Sequence, residues 1–176
     1  MPTKATNARK APTEAAKVAS RALEPRADKA RIVIQRACAA RTVPAPARLR
    51  AWAQAAASGA TEVTLRVVGA REARRLNRDY RKRDAATNVL TFCYGRRPWR
   101  GDIVLCHPVI VREARAQGKP LTAHYAHMVV HAMLHLRGHD HVRRDAARRM
   151  ERIERRTLAQ LGVANPYAVE SARPRR

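Results

Sequence analysis

Glu62-Val63-Thr64-Leu65-Arg66-Val67-Val68 alternates polar and apolar side chains along most of its length, the period of two that marks a strand with one buried face. Val, Thr and Leu suit such a pleated surface. Upstream, Arg31-Ile32-Val33-Ile34-Gln35 gives a first strand. The Ala-rich stretch from Ala45 to Ala57, preceded by Pro44 and Pro46 and closed by Ser58-Gly59, predicts a helix. Downstream, Gly69 opens a helix to about Tyr80, and a turn follows near Asp84-Ala85-Ala86. Strands are expected at Asn88-Val89-Leu90-Thr91-Phe92 and Asp102-Ile103-Val104-Leu105-Cys106, with a Gly/Pro/Arg loop between them. From Pro108 onward every pattern is helical: to about Gln117, from Leu121 to about Arg137, and from Val142 to about Leu161. Alternating strands and helices followed by helices alone argue an α+β fold, a small mixed four-stranded sheet backed by helices.

The 176-residue chain carries 37 Lys and Arg against 14 Asp and Glu, a formal net charge of +23. Such a field draws polyanions at long range, nucleic acid first among them. Aromatic residues make up only 4% of the chain, and no Trp- or Phe-rich amphipathic helix points to a membrane surface. No apolar run approaches a transmembrane length and no signal-peptide core is visible, so a cytoplasmic protein is expected. Cys38, Cys93 and Cys106 are odd in number, widely spaced and without a C-x-x-C pair, which fits a reducing compartment. Residues 1–28 mix Ala, Lys, Arg, Thr and Pro and read as a disordered basic tail; Glu14, Glu24 and Asp28 weaken a transit-peptide reading. Residues 29–170 then form one domain, and residues 171–176 a short basic tail.

The helical half holds His131-Ala132-Met133-Leu134-His135-Leu136-Arg137-Gly138-His139-Asp140-His141. Residues four apart share a helix face, so His131 and His135 can aim at one ion. Gly138 can end the helix in a left-handed turn and bring His141 round as a third ligand. Three neutral imidazoles leave a zinc ion one open position, the arrangement of a catalytic site. The spacing is that of the metzincin proteases, which need a Glu directly after the first His as general base. Here that residue is Ala132, which cannot accept a proton.

Several further segments complete a pattern: Leu76-Asn77, Tyr80-Arg81, Asp84, Thr87-Asn88-Val89-Leu90-Thr91-Phe92, Gly101-Asp102-Ile103-Val104, Gly118-Lys119-Pro120 and Pro166-Tyr167. With the histidine motif, and in this order over about residues 30 to 170, they resemble the bacterial YbeY family of single-zinc endoribonucleases. That resemblance implies a single-strand-directed, metal-dependent endoribonuclease. Its task would be 3′-end maturation of small-subunit (16S) ribosomal RNA and ribosome quality control. It implies one Zn2+ per chain on His131, His135 and His141, and Arg81 as a functionally essential arginine. Catalysis would then rest on Arg81 and the His131 centre. The implied partners are ribosomal RNA, the small ribosomal subunit, a small-subunit ribosomal protein and an Era-type GTPase. Two positions depart from the family pattern: Ala132 stands where Gly is usual, and His139, a fourth imidazole, where an aromatic residue is usual. A non-catalytic, zinc-stabilised ribosome-assembly factor is the alternative reading.

Around this centre, Asp140 either orients a ligand imidazole or caps the next helix. His124 and His127 lie near the face of His131, where they either line the cleft or form buried hydrogen bonds. Thr87 and Asn88 fix the sheet edge through side-chain bonds to backbone, or touch RNA. The arginines from Arg71 to Arg83 form the expected RNA track. Those from Arg143 to Arg156 are interspersed with Asp145, Glu151 and Glu154 and read in part as a salt-bridged solvent face.

Overall fold

A computed structural model describes residues 30–96 and 98–168; the two expected tails lie outside them. The elements run β1 (Arg31–Arg36), α1 (Pro46–Ala56), β2 (Thr61–Val68), α2 (Ala70–Arg81), β3 (Val89–Arg96), β4 (Trp99–Cys106), α3 (His107–Ala116), α4 (Leu121–Leu136) and α5 (Arg144–Gln160). The fold is α+β with a four-stranded mixed sheet ordered β1-β2-β4-β3. β1 and β2 are parallel, as are β2 and β4, whereas β3 returns antiparallel to β4. β4 begins at Trp99, ahead of the expected Asp102, because its pairing with β3 extends to Arg96 opposite Trp99. The last helix begins at Arg144 rather than Val142. The Asp140 carboxylate accepts the Val142 N–H at 3.2 Å in a turn, and Arg143 is still extended.

The alternation in β2 sorts the two layers. Val63, Leu65 and Val67 join Ile103 and Leu105 on one face, under Leu49 and Trp52 of α1 and Val130, Met133 and Leu134 of α4. On the other, Val68, Val104 and Cys106 pack with Leu90, Ala73 and Val109. Each fully buried aliphatic side chain contributes about 1.5–3 kcal/mol relative to exposure. α4 is the central helix: Tyr125, Val129, Val130, Met133, Leu134 and Leu136 are fully buried, and it touches α1, α3, α5, β3 and β4. Among the described residues no helix is long and apolar enough to cross a membrane.

Two glycines place the end of α4. A Cβ on Gly101 would collide with the Phe92 carbonyl oxygen and with Cδ1 of Leu136, so the missing side chain lets the last turn of α4 lie against β4. Gly138, at φ +79°, then ends the helix. Its N–H bonds the His135 carbonyl at 2.9 Å, and the His139 N–H bonds the Leu134 carbonyl at 3.1 Å. Those two bonds form a Schellman motif, which satisfies carbonyls that the helix end would otherwise leave free.

Gly101→Ala is expected to lower stability by about 1–3 kcal/mol through overpacking, seen as a lower midpoint in thermal unfolding, although alanine is otherwise better suited to a strand than glycine.

Candidate metal centre

α4 presents His131 and His135 one turn apart, and the Schellman turn returns the chain so that His141 faces both. His131 Nε2 and His135 Nε2 stand 3.0 Å apart. The ring centroids are separated by 4.5 Å (His131 and His135), 5.6 Å (His131 and His141) and 5.0 Å (His135 and His141). One nitrogen from each ring lies within 4.8 Å of the other two. Nitrogens shared by one tetrahedral zinc stand about 3.3 Å apart, so this donor set fits the ion. Burial, with the neighbouring His131 and His141, pushes the pKa of His135 down to about 4, which keeps the ring neutral as a metal ligand must be. His139 is not a member of the cluster, whose third nitrogen belongs to His141.

The three rings open into a cleft of about 630 Å³ that Arg81, Asn88 and Thr91 also line. None of the lining residues is acidic. Arg81 ends α2 and donates from Nη2 to the Thr91 carbonyl at 3.4 Å; no described carboxylate pairs with it. The loop that follows is pinned from α2. Buried Asn77 donates to the Ala85 carbonyl at 2.7 Å, and Arg74 grips Asp84 with two bonds of 2.8 and 2.6 Å. The segment from Leu76 to Asp84 is thus a device that presents Arg81 to the cleft. Of the other arginines on α2, Arg78 pairs with its neighbour Asp79.

Asn88 fixes the start of β3: its Oδ1 accepts the Val89 N–H at 2.7 Å, and its Nδ2 donates to Glu113 at 3.1 and 3.2 Å. Thr87 bonds the Asn88 oxygen at 3.4 Å. Glu113 also meets Nε2 of buried His124 at 3.0 Å. Burial nonetheless pushes the His124 pKa down against the pull of that carboxylate. His124 is therefore a structural hydrogen-bonding residue of the interior and does not line the cleft.

Glu154 overturns the reading of the basic helix as a salt-bridged face. No ion pair among the described residues joins an α5 arginine to a carboxylate, and Glu154 is turned inward at 1% exposure. Its Oε1 is 2.7 Å from His131 Nδ1, its Oε2 is 3.5 Å from His127 Nε2, and the Tyr167 hydroxyl donates to Oε2. Burial alone would raise its pKa, but hydrogen bonds from His127, His131 and Tyr167 outweigh burial and hold it at about 2. The carboxylate on the His131 ring is therefore Glu154, while Asp140 serves the backbone of Val142. The sequence carries the signal: Met150, Glu154, Thr157 and Leu158 fall at helical spacing on one stripe, which places an acid among core residues. Tyr167 is brought in by Lys119, whose Nζ donates to the Pro166 carbonyl at 2.6 Å.

The family model described as endoribonuclease YbeY matches residues 38–162. The endoribonuclease YbeY of Aromatoleum aromaticum is 55% identical over 141 residues, which cover 78% of this chain and 92% of the relative. That of Nitrosospira multiformis is 44% identical over 164 residues, covering 84% and 87%. Among solved structures, the solution structure of a Thermotoga maritima protein aligns with a TM-score of 0.51 at 21% identity, covering 82% of this chain and 99% of that one; this likeness concerns the fold.

His107, His124 and His135 all have pKa values lowered first by burial. A histidine lowered in the folded state gives stability that is full above its unfolded pKa, about 6.5, and is lost as pH falls through the folded value. The metal-free protein should therefore melt at a lower temperature at pH 5 than at pH 7.5, a difference that differential scanning calorimetry measures directly.

Proposed function

The chain belongs to the YbeY family of endoribonucleases, and from that premise we propose that it hydrolyses RNA phosphodiester bonds at a single zinc ion held by His131, His135 and His141, with Arg81 on the phosphate. Its relatives are endoribonucleases, and ribosomal RNA maturation is the task that the family resemblance implies. In this reading the enzyme acts in the cytoplasm, at the 3′ end of 16S ribosomal RNA and in ribosome quality control. An Era-type GTPase and a small-subunit ribosomal protein are the partners that the family resemblance implies.

The carrying observation is that Arg81 and the three histidines share one cleft with no acidic lining residue. A phosphate can settle there without like-charge repulsion. The guanidinium offers a planar fork to non-bridging oxygens, which gather negative charge as the phosphorus becomes five-coordinate. When bound, zinc supplies a Lewis acid and lowers the pKa of a water. A peptide-cleaving role has no base at the expected place: Ala132 is fully buried and carries no acceptor. Arginine rather than aromatic side chains would dominate the hold on RNA, so binding should weaken steeply with salt.

Arg81→Ala should lower the cleavage rate by about 10²–10³-fold with an unchanged melting temperature, measured on a structured ribosomal RNA fragment. His135→Ala separates the readings. A folded variant that binds RNA without cutting it supports catalysis by the metal centre, whereas an unfolded one favours the zinc-stabilised assembly factor. Zinc-loaded protein that leaves ribosomal RNA intact at every salt concentration would sink the proposal.

A further inference from the structure

Glu154 is buried where a free carboxylate would be costly, and its two oxygens are divided between two tasks. Oε1 lies 2.7 Å from His131 Nδ1, while Oε2 receives the Tyr167 hydroxyl and lies 3.5 Å from His127 Nε2. We infer that Glu154 is the positioning residue of the metal centre: it takes the Nδ1–H of His131, so that the ring's other nitrogen, Nε2, is the one offered to the ion. The inference rests on the reading of His131, His135 and His141 as a metal site.

A neutral imidazole carries one N–H, and whichever nitrogen bears it cannot bind a metal. A carboxylate on Nδ1 settles the choice, and His131 Nε2 is indeed the nitrogen that meets His135 Nε2 at 3.0 Å. It also fixes the ring's rotation, because Nδ1, Nε2 and their two partners define the plane. Such outer partners raise ligand basicity, and their loss costs metal affinity. Tyr167 and His127 hold the carboxylate in turn. Tyr167 is itself anchored, through Lys119 on Pro166 and through its own N–H on Asn165 Oδ1 at 3.0 Å. The segment after α5 thereby becomes part of the metal centre without reaching it. His127, His131 and Glu154 also lie close enough to surround an ion of their own. That arrangement would require His131 to bind metal through both nitrogens, and the 2.7 Å contact is a hydrogen-bond length.

The test uses the full chain and its Glu154→Gln, Tyr167→Phe and Glu62→Gln variants, with Zn2+ affinity read by competition with a chromophoric chelator. The tautomer of His131 is read from ring 15N shifts of the metal-free protein. Glu154→Gln should bind zinc about 10–100-fold more weakly and lose the pure Nδ1–H tautomer. Tyr167→Phe should fall between it and the parent, and Glu62→Gln should match the parent. Wild-type affinity and an unchanged tautomer in Glu154→Gln overturn the inference. So do two zinc ions per parent chain, one of them lost in Glu154→Gln, since Glu154 would then be a ligand. If Glu154→Gln does not fold, an Nε2–H tautomer in the parent or wild-type affinity in Tyr167→Phe overturns it equally. A parent chain that takes up no zinc removes the metal reading itself, whereas normal zinc binding by Glu154→Gln removes only this inference.

Discussion

The close approach of α4 to β4 is the constraint on which the rest of the molecule depends. A sheet and a helix normally keep side chains between them, but at Gly101 there is none, and Leu136 occupies the space. The helix end is thereby seated on the strand beside β3, the strand whose Val89, Thr91 and Cys93 line the cleft. Because β3 is also where Arg81 rests, at the Thr91 carbonyl, one packing contact relates the arginine to the histidines although they lie fifty residues apart in the chain. Interiors pack at crystal-like density, so the seating of α4 against β4 is fixed by the core, and His131 and His135 are held with it.

Charge is distributed with the same division of labour. The chain is strongly basic, yet two of its few acids, half-buried Glu113 and buried Glu154, are spent on histidines. Glu113 joins Asn88 to His124 at one end of α4, and Glu154 joins His131 to Tyr167 further along. Each satisfies donors that the interior would otherwise leave unpaired, and neither lines the cleft. An anion approaching the cleft meets imidazole, guanidinium, amide and hydroxyl groups and no carboxylate.

Much of this was legible in the sequence, and what was not has identifiable causes. The alternation of β2 reports its two faces because both are packed differently, apolar under α1 and α4 and mixed on the other side. The spacing of His131, His135 and His141 around a glycine is local, so helix geometry alone brings them together. The early start of β4 was hidden, because the pairing of Trp99 with Arg96 is a property of two strands together. Arg81 is one arginine among many in the sequence until the resemblance singles it out, and that no described carboxylate pairs with it, while Asp84 pairs with Arg74, is a matter of three-dimensional placement. Glu154 was misread because a glutamate among arginines is most often solvated, and only its phase with Met150 and Leu158 contradicts that expectation.

α4 carries two histidines of the cluster and its core residues in one helical phase. Val130, Met133 and Leu134, all fully buried, interleave with His131 and His135. One residue added or removed between Leu121 and His131 turns everything beyond it by about 100° relative to what came before. Either the packing residues or the imidazoles would then face the wrong way, and no local adjustment restores both. A change of length inside α4 would therefore cost either the core or the histidine cluster, whereas an exchange of side chains there leaves the register intact.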